Sequence, residues 1–213
     1  MKITWVGHAC FLIDGREARI LTDPFDEEVP YTFVESSVDI VTVSHAHFDH
    51  NAVHRVPGDH EVIDSVGDLD VSGVPVQGIA SFHDDEGGAR RGPNVLYRFV
   101  VEGIPIAHLG DLGSPLDSVQ RAALEDVEIL FAPVGGHFTI DAAQAAEIVR
   151  SLPNLRLVIP MHFKTERIDD WPIETVEPFE EMMDNVRRIG ASTVEVTRES
   201  LPKQLEVWIL DHA

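Results

Sequence analysis

Histidine and aspartate residues cluster in one short stretch of the sequence. His45, His47, Asp49 and His50 occupy six positions directly after an apolar run that ends at Val43. In an extended strand end, His45 and His47 lie on the same side, and Asp49 and His50 follow where we expect the chain to turn into a helix. Neutral imidazoles and carboxylates that converge on one point are typical ligands of a transition-metal site. The stretch therefore predicts metal binding.

Three more candidate ligands stand where predicted strands run out into loops. They are His83, Asp111 and His162, which follow the runs ending at Phe82, Ala107 and Met161. Ligand sites in α/β proteins collect at such strand ends. The count predicts two metal ions: His45, His47 and His83 around the first, Asp49, His50 and His162 around the second, and Asp111 between them.

Short apolar runs rich in β-branched residues recur along the chain and predict the strands that carry these residues. Each run is bounded by Gly, Pro, Asp or Asn, and the turn Asp14-Gly15 predicts an early hairpin. The runs are Lys2–Val6, Cys10–Ile13, Ala18–Leu21, Val38–Val43, Val74–Ile79, Val95–Val101, Ile104–Ala107, Glu128–Ala132, Leu155–Pro160, Thr193–Val196 and Leu205–Leu210.

Helical patterns are fewer and fall in the second half of the chain. The predicted helices are Pro115–Asp126 with Ser114 as N-cap, Ile140–Leu152 with Thr139 or Asp141 as cap, and Pro178–Ile189, which ends at Gly190. A strand-rich half followed by alternating strands and helices predicts an α/β layered protein with more than one sheet. The length predicts a single domain spanning residues 1–213.

Composition excludes several classes of protein. The formal net charge of −21 disfavours nucleic acid and anionic membranes as partners, because like charges repel them at long range. Cys10 is the only cysteine, so an intrachain disulfide is excluded. We find no apolar run near the roughly 18 residues of a membrane span and no signal peptide, so we expect a cytoplasmic protein with no membrane partner.

The segment His45-Ala46-His47-Phe48-Asp49-His50 matches the HxHxDH signature of the metallo-β-lactamase-fold superfamily, with His83, Gly110-Asp111 and His162 in the required order. The sequence resembles one branch of it, zinc-dependent hydrolases related to the ascorbate-6-phosphate lactonases and the phospholipase-D-type metallohydrolases. The resemblance implies an αββα four-layer sandwich: two mixed sheets with outer helices and a dinuclear site at one edge. The histidine-rich ligand set favours two Zn²⁺ ions, with Mn, Fe or Ni as alternatives because several metals accept mixed imidazole and carboxylate ligands.

The same resemblance bears on residues outside the signature. It places His8 near the rim of the metal site, where a hairpin-stabilising histidine is the alternative. Asp23 resembles a carboxylate that holds a ligand imidazole by its other N–H group. His108 is a rival of His83 for the third position at the first metal.

The predicted chemistry is metal-assisted hydrolysis, in which a bridging water becomes hydroxide at neutral pH. In this interpretation Asp111 bridges the metals, Asp49 binds metal and orients the hydroxide, and His137 or His8 protonates the leaving group. His137 follows Gly135-Gly136 and is either substrate-facing or a surface residue.

Three functions fit these residues. The first is hydrolysis of a small anionic ester, lactone or phosphodiester, whose phosphate or carboxylate Arg90 and Arg91 are candidates to hold. The second is a metal-dependent nuclease, which the acidic charge and the lack of a basic stripe disfavour. The third is a non-catalytic protein that retains the metal site to bind a ligand. The sequence leaves a homo-oligomer open.

Overall fold

A computed structural model describes residues 1–33 and 36–213, and strands dominate it. The strands are β1 (Lys2–Gly7), β2 (Cys10–Asp14), β3 (Arg19–Thr22), β4 (Ile40–Thr42), β5 (Glu61–Ile63), β6 (Gly67–Val71), β7 (Val74–Phe82), β8 (Pro93–Val101), β9 (Ile104–His108), β10 (Ile129–Pro133), β11 (Leu157–Met161), β12 (Val186–Arg188), β13 (Thr193–Glu195) and β14 (Glu206–Ile209). The α-helices are α1 (Ser118–Ala123), α2 (Ala142–Ser151) and α3 (Glu177–Met182), and a 3-10 turn covers Val53–Arg55.

The strands form two mixed sheets. The six-stranded sheet has the order β13-β1-β2-β3-β4-β5 and the eight-stranded sheet the order β12-β14-β11-β10-β9-β8-β7-β6. In the first sheet β3, β4 and β5 are parallel neighbours, and in the second β9, β10, β11, β14 and β12 are. The predicted hairpin is present, with Asp14 opposite Arg19. Both sheets therefore have parallel strands whose carboxyl ends share one edge.

The two sheets pack face to face. Phe11 of β2 stacks on Phe131 of β10 with ring centroids 4.1 Å apart, and burying one such ring stabilises the fold by about 1.5–3 kcal/mol. Along β2, Phe11 and Ile13 enter this shared core, whereas Cys10 and Leu12 belong to a second apolar cluster. That alternation follows from the two-residue period of a strand, and it means that the first sheet is buried on both faces.

The outer face of one sheet is covered by a helix and that of the other by loops. Helix α2 begins at Asp141, whose carboxylate caps the backbone N–H of Gln144, and its buried side packs into the core of the eight-stranded sheet. Loop residues such as Phe25, Tyr31 and Ile168 cover the six-stranded sheet. The architecture is the α/β sandwich of two mixed sheets that the sequence predicted.

Two predicted helices need correction. The helix predicted from Pro115 begins at Ser118, because the Asp117 carboxylate, not Ser114, accepts the free N–H groups of its first turn. The helix predicted over Pro178–Ile189 ends at Met182. Beyond it, Val186–Arg188 pairs with β14 as an edge strand, since backbone pairing to the sheet outweighs the local helical pattern.

Three strands lie outside the predicted runs: β5, β6 and β12. All but one residue of β6 are exposed, so it has little of the apolar alternation from which strands are recognised. The helix expected at Asp49 and His50 is also wrong. There the backbone N–H groups of His50 and Asn51 both donate to the His47 carbonyl in a single turn.

Within the described residues, 1–33 and 36–213, every helix is too short or too polar to cross a membrane.

Candidate metal centre

Loops that leave both sheets meet at one place. From the six-stranded sheet come His8, just after β1, and the segment His45–His50, just after β4. From the eight-stranded sheet come His83 after β7, Asp111 after β9 and His162 after β11. The structure thus brings together residues that are far apart in the chain.

The Asp111 carboxylate lies at the centre of this cluster. Its Oδ2 atom is 3.2 Å from His83 Nε2 and 3.3 Å from both His50 Nε2 and His162 Nε2, while His45 Nε2 is 4.0 Å away. Asp111 is buried, and its Oδ1 atom has no hydrogen-bond partner among the described residues. Burial alone would raise the pKa of Asp111, but His162 and His50 hold it well below its usual value, so the carboxylate is ionised.

His45, His47 and His83 form the first set of ligand atoms, which lie within 4.8 Å of one another. His45 Nε2 and His47 Nδ1 are 2.9 Å apart. The two rings meet through a bend of the backbone rather than the strand alternation expected from the sequence. Burial is the main cause that lowers the pKa of His45 to about 3, so its imidazole is neutral and has a free nitrogen lone pair.

His8, His50 and His162 form a second set within the same 4.8 Å limit. Asp49, expected here from the sequence, has its Oδ2 atom 3.2 Å from His8 Nε2 and 3.7 Å from His50 Nε2. His8 is fully buried, and burial, with nearby His162, lowers its pKa to about 4. His8 therefore lies inside the cluster, closer to the ligands than the rim position expected from the resemblance.

Asp23 orients two of the imidazoles at once. Its Oδ2 atom accepts hydrogen bonds from His50 Nδ1 at 2.8 Å and from Ser44 Oγ at 2.6 Å. Since the Ser44 hydroxyl donates to Asp23, it accepts from His45 Nδ1 at 2.9 Å. These bonds fix the Nδ1 proton of both rings and leave Nε2 as the nitrogen that faces the cluster, which is the arrangement in which a histidine binds a metal ion.

Asn94 and Gly110 position the central carboxylate. Asn94 Oδ1 accepts the backbone N–H of Asp111 at 3.0 Å, and its amide nitrogen donates to Ser81 Oγ and to the Leu109 carbonyl. Gly110 has φ +51°, and a Cβ atom there would lie 2.5 Å from Asn94 Oδ1 and from Ser44 Cβ. Only glycine lets the two loops approach this closely.

Three residues of the cluster adopt left-handed backbone conformations. The φ angles of His8, Asp23 and His162 are +54°, +40° and +51°. Such angles are unfavourable for residues with a side chain and are concentrated at functional sites, where the surrounding structure holds them. Here the His162 N–H donates to the His8 carbonyl at 3.1 Å, so each strained residue helps to hold the other.

The donor atoms have the spacing of ligands around a transition-metal ion. Ligand atoms of a tetrahedral zinc site, with bonds of about 2.0–2.1 Å, lie about 3.3 Å apart, close to the separations around Asp111 Oδ2. Burial alone would lower the pKa of His50, but Asp111 and Asp49 raise it well above its ordinary value. His50 therefore holds a proton where a divalent cation would replace it.

Two histidines weighed in the sequence lie outside the donor set. His108 Nε2 donates to the Ala9 carbonyl at 2.8 Å, and its Nδ1 accepts from the Gly110 N–H at 3.1 Å, so both ring nitrogens are occupied. The structure thus places His83, not His108, beside His45. His137 is exposed, on a turn with φ +58°, and packs edge-on against Phe138. His137 is not among the residues that line the cavity beside the cluster, and its role as a proton donor stays a prediction.

The cluster opens into a cavity of about 670 Å³. Its walls include His47, Asp49, His83, Asp111 and His162, which connects the donor set to solvent. The remaining lining residues are Glu28, Ala46, Phe48, Arg91, Phe138, Asp170, Trp171 and Pro172.

Ser44 and Asn94 are the site residues that sequence analysis missed. Both have short polar side chains within apolar segments, and such residues usually make local hydrogen bonds. The position of Ser44 directly before His45 is the one signal that could have drawn attention to it. For Asn94, 17 residues before Asp111 in the chain, we find no such signal.

Comparisons with known proteins identify the family of this chain. The profile of the Beta-lactamase superfamily domain matches residues 2–162, which include every residue of the donor set. A metal-dependent hydrolase of Thermoplasma volcanium is 29% identical over 190 residues, 78% of this chain and 84% of that protein. One of Methanoculleus marisnigri is 32% identical over 192 residues, 78% of this chain and 82% of that protein.

A solved structure shows the same fold along the whole chain. It is that of a protein from Thermotoga maritima assigned as a Zn-dependent hydrolase of the metallo-β-lactamase superfamily, at 2.00 Å resolution. The two chains are 36% identical, with a TM-score of 0.85 over 100% of this chain and 99% of that one.

Proposed function

Because this chain belongs to the metallo-β-lactamase superfamily and is a metal-dependent hydrolase, we propose that it uses a dinuclear centre to hydrolyse a small anionic ester, lactone or phosphodiester. The observation that carries the proposal is the position of Asp111 Oδ2 among the imidazoles of His50, His83 and His162. Because one oxygen atom of Asp111 lies close to histidines of both ligand sets, this position supports a carboxylate that would help to hold both ions.

The proposed ligands keep the first set and replace His8 by Asp49 in the second. His45, His47 and His83 would hold the first ion. Asp49, whose Oδ2 atom is 3.7 Å from His50 Nε2, would hold the second with His50 and His162, and Asp111 would lie between the two ions. We propose zinc, because imidazole-rich sites suit it and the Thermotoga maritima relative is assigned as Zn-dependent; Mn, Fe and Ni accept the same ligands. Two such ions would polarise the scissile oxygen and lower the pKa of a water molecule toward neutrality.

Proton transfer is assigned to Asp49. Its side chain is partly exposed and lines the cavity, so it can reach both a water molecule and a leaving group. A carboxylate oxygen of Asp49 accepts the proton of the attacking water and returns it to the leaving group. His8 Nε2 lies 3.2 Å from Asp49 Oδ2 and orients that carboxylate, while complete burial separates His8 from the cavity where the leaving group departs.

The experiment is metal analysis of protein purified without chelator, followed by turnover assays on a lactone, a carboxylic ester and a phosphodiester. We expect two zinc equivalents per chain and hydrolysis of at least one class, both reduced in His47→Ala, which loses one ion. At most one equivalent with full activity contradicts the dinuclear centre.

Two other outcomes favour the rival functions. A loaded centre without turnover on any class indicates a ligand-binding protein, and salt-dependent cleavage of oligonucleotides indicates a nuclease.

A further inference from the structure

We infer that Arg91 binds an anionic group of the substrate, and that the aromatic wall of the cavity, defined as Phe48, Phe138 and Trp171, receives an apolar part of the same molecule. The substrate class is then an amphipathic monoanion: an apolar body beside the scissile bond, with one carboxylate, sulfonate or phosphodiester group. The inference rests on the proposed function for the bond that is cleaved, but the binding site itself is independent of turnover.

Arg91 has a cationic group available at the cavity. The side chain is half-buried, and its guanidinium carbon lies 5.4 Å from the centroid of the Phe138 ring. Within residues 1–33 and 36–213, no carboxylate lies within ion-pair distance of Arg91. A guanidinium group that lies over an aromatic ring keeps its N–H groups free. These N–H groups can bind a carboxylate or phosphate in the plane of the guanidinium.

The neighbouring Arg90 differs in each of these respects. Its side chain is exposed and forms an ion pair with Glu86 four residues earlier, and it is absent from the cavity lining. Arg90 and Arg91 therefore carry the same charge at adjacent positions of the chain, but only Arg91 lines the cavity. This contrast supplies a matched control.

The loop that carries Arg91 is ordered by Asp84, which directly follows His83. The Asp84 carboxylate accepts the backbone N–H groups of Glu86, Gly88, Arg90 and Arg91 at 2.8–2.9 Å. The backbone of Arg91 is thereby held in a fixed position relative to the proposed ligand His83, so the loop does not have to become ordered when an anion binds.

The aromatic wall of the cavity indicates that the substrate also has an apolar part. Phe48 lies between two proposed ligands and is 49% exposed, so its ring is available to an apolar part of a substrate. Phe138 and Trp171 line the same cavity. Two exposed carboxylates, Glu28 and Asp170, also line it, so a second negative charge on the substrate would be repelled.

The binding test uses zinc-loaded protein and two fluorescent probes that share an aromatic body: anionic 8-anilinonaphthalene-1-sulfonate and neutral N-phenyl-1-naphthylamine. In Arg91→Gln we expect the dissociation constant of the sulfonate to rise about tenfold or more, as for loss of a hydrogen bond to a charged group. The neutral probe should bind as before. Arg90→Gln should change neither probe, and Phe138→Ala should weaken both.

Equal effects of Arg90→Gln and Arg91→Gln, or an equal loss of both probes in Arg91→Gln, overturn the inference. A circular dichroism spectrum and two zinc equivalents check that each variant is folded. If Arg91→Gln does not fold, Arg91→Lys is measured instead. This variant should retain part of the preference for the sulfonate, because lysine keeps the positive charge but lacks the planar guanidinium group.

Turnover separates the inference from the proposed function. The substrates are mono-4-nitrophenyl adipate and its neutral methyl ester, which differ only in a carboxylate remote from the scissile carbonyl. Arg91→Gln should lower kcat/KM for the anionic ester and leave the neutral one unchanged. If the wild-type protein hydrolyses neither ester, its esterase activity is refuted while the probe measurements still decide the role of Arg91.

Discussion

The hydrogen bond from His45 to Ser44 allows one metal site to be perturbed without the other. In Ser44→Ala the Nδ1–H group of His45 loses its acceptor, while Asp23 keeps its bond to His50. Leaving a buried donor unpaired costs about 1–3 kcal/mol. Since a factor of ten in a binding constant corresponds to about 1.4 kcal/mol, we expect zinc at the first site to bind about ten- to hundredfold more weakly.

The assay is competition between metal-free protein and a chromophoric zinc chelator, resolved into two successive dissociation constants. Ser44→Ala should raise one of them and leave the other nearly unchanged. Thr42→Val is the matched control: Thr42 lies two residues earlier, and its buried hydroxyl has no hydrogen-bond partner in the described part of the chain. Removing that hydroxyl should alter neither constant.

Asp23→Asn extends the same test to both sites. In one orientation the new amide N–H₂ group faces the donors on His50 and Ser44, and in the other it faces the Ser44 backbone N–H. Either way a donor meets a donor, so we expect both zinc constants to rise. The reasoning is refuted if Ser44→Ala leaves both constants unchanged, or if it weakens both sites as much as Asp23→Asn does.

Four further results are expected. His83→Ala should lower the zinc stoichiometry of the first site, whereas His108→Ala should keep two equivalents. The free energy of unfolding of His108→Ala in urea should fall by about 1–3 kcal/mol, because the substitution removes two buried hydrogen bonds. The reverse result would make His108 the ligand. Gly110→Ala should unfold at lower urea concentration and bind less zinc, since its Cβ would lie 2.5 Å from Ser44 Cβ; unchanged stability would contradict the close approach. Chelation of the metal should lower the calorimetric Tm, because an ion at 100 times its dissociation constant stabilises the fold by about 2.7 kcal/mol; an unchanged Tm would mean that the site is not filled. His137→Gln should keep both metals and nearly normal kcat on alkyl and nitrophenyl esters alike; a loss of about 10²–10⁴ on alkyl esters alone would instead show that His137 is the proton donor.

The proposed ligands could be predicted from the sequence because most of them are defined by local features. His45, His47, Asp49 and His50 are close in the chain, so even a wrong expectation for the backbone after His47 still brought them together. His83 and His162 were found because they follow strands, and strand ends were recognisable from apolar runs bounded by turn residues.

Helices were predicted less accurately than strands, for an identifiable reason. The apolar stripe of Phe179, Met182 and Val186 is compatible with one continuous helix. The chain instead leaves the helix at Met183 and turns through Asn185, which has φ +55°, to add an edge strand beside β14. The partner for that strand comes from a segment some twenty residues further along, so a local pattern could not reveal it.

The roles of individual histidines depended on contacts across the fold. His8 and His50 are 42 positions apart yet have Nε2 atoms 3.2 Å from each other, and His108 is occupied by a carbonyl 99 positions away. In the sequence, His108 is a rival of His83 for the same ligand position. What separates them is the contacts of each ring: His83 Nε2 lies 3.2 Å from Asp111 Oδ2, whereas both ring nitrogens of His108 are hydrogen-bonded to the backbone.

The sequence by itself determined the class of fold, the ligand types and the acidic charge, because periodicity, residue chemistry and composition act within one segment or over the whole chain. Tertiary structure decided the rest: that Asp111 is central, that Asp23 holds His45 through Ser44, and that Arg91 but not Arg90 reaches the cavity. These assignments depend on distances of about 3–5 Å between loops of different strands. Such distances are set by the packing of the two sheets, and residue spacing along the chain does not encode them locally.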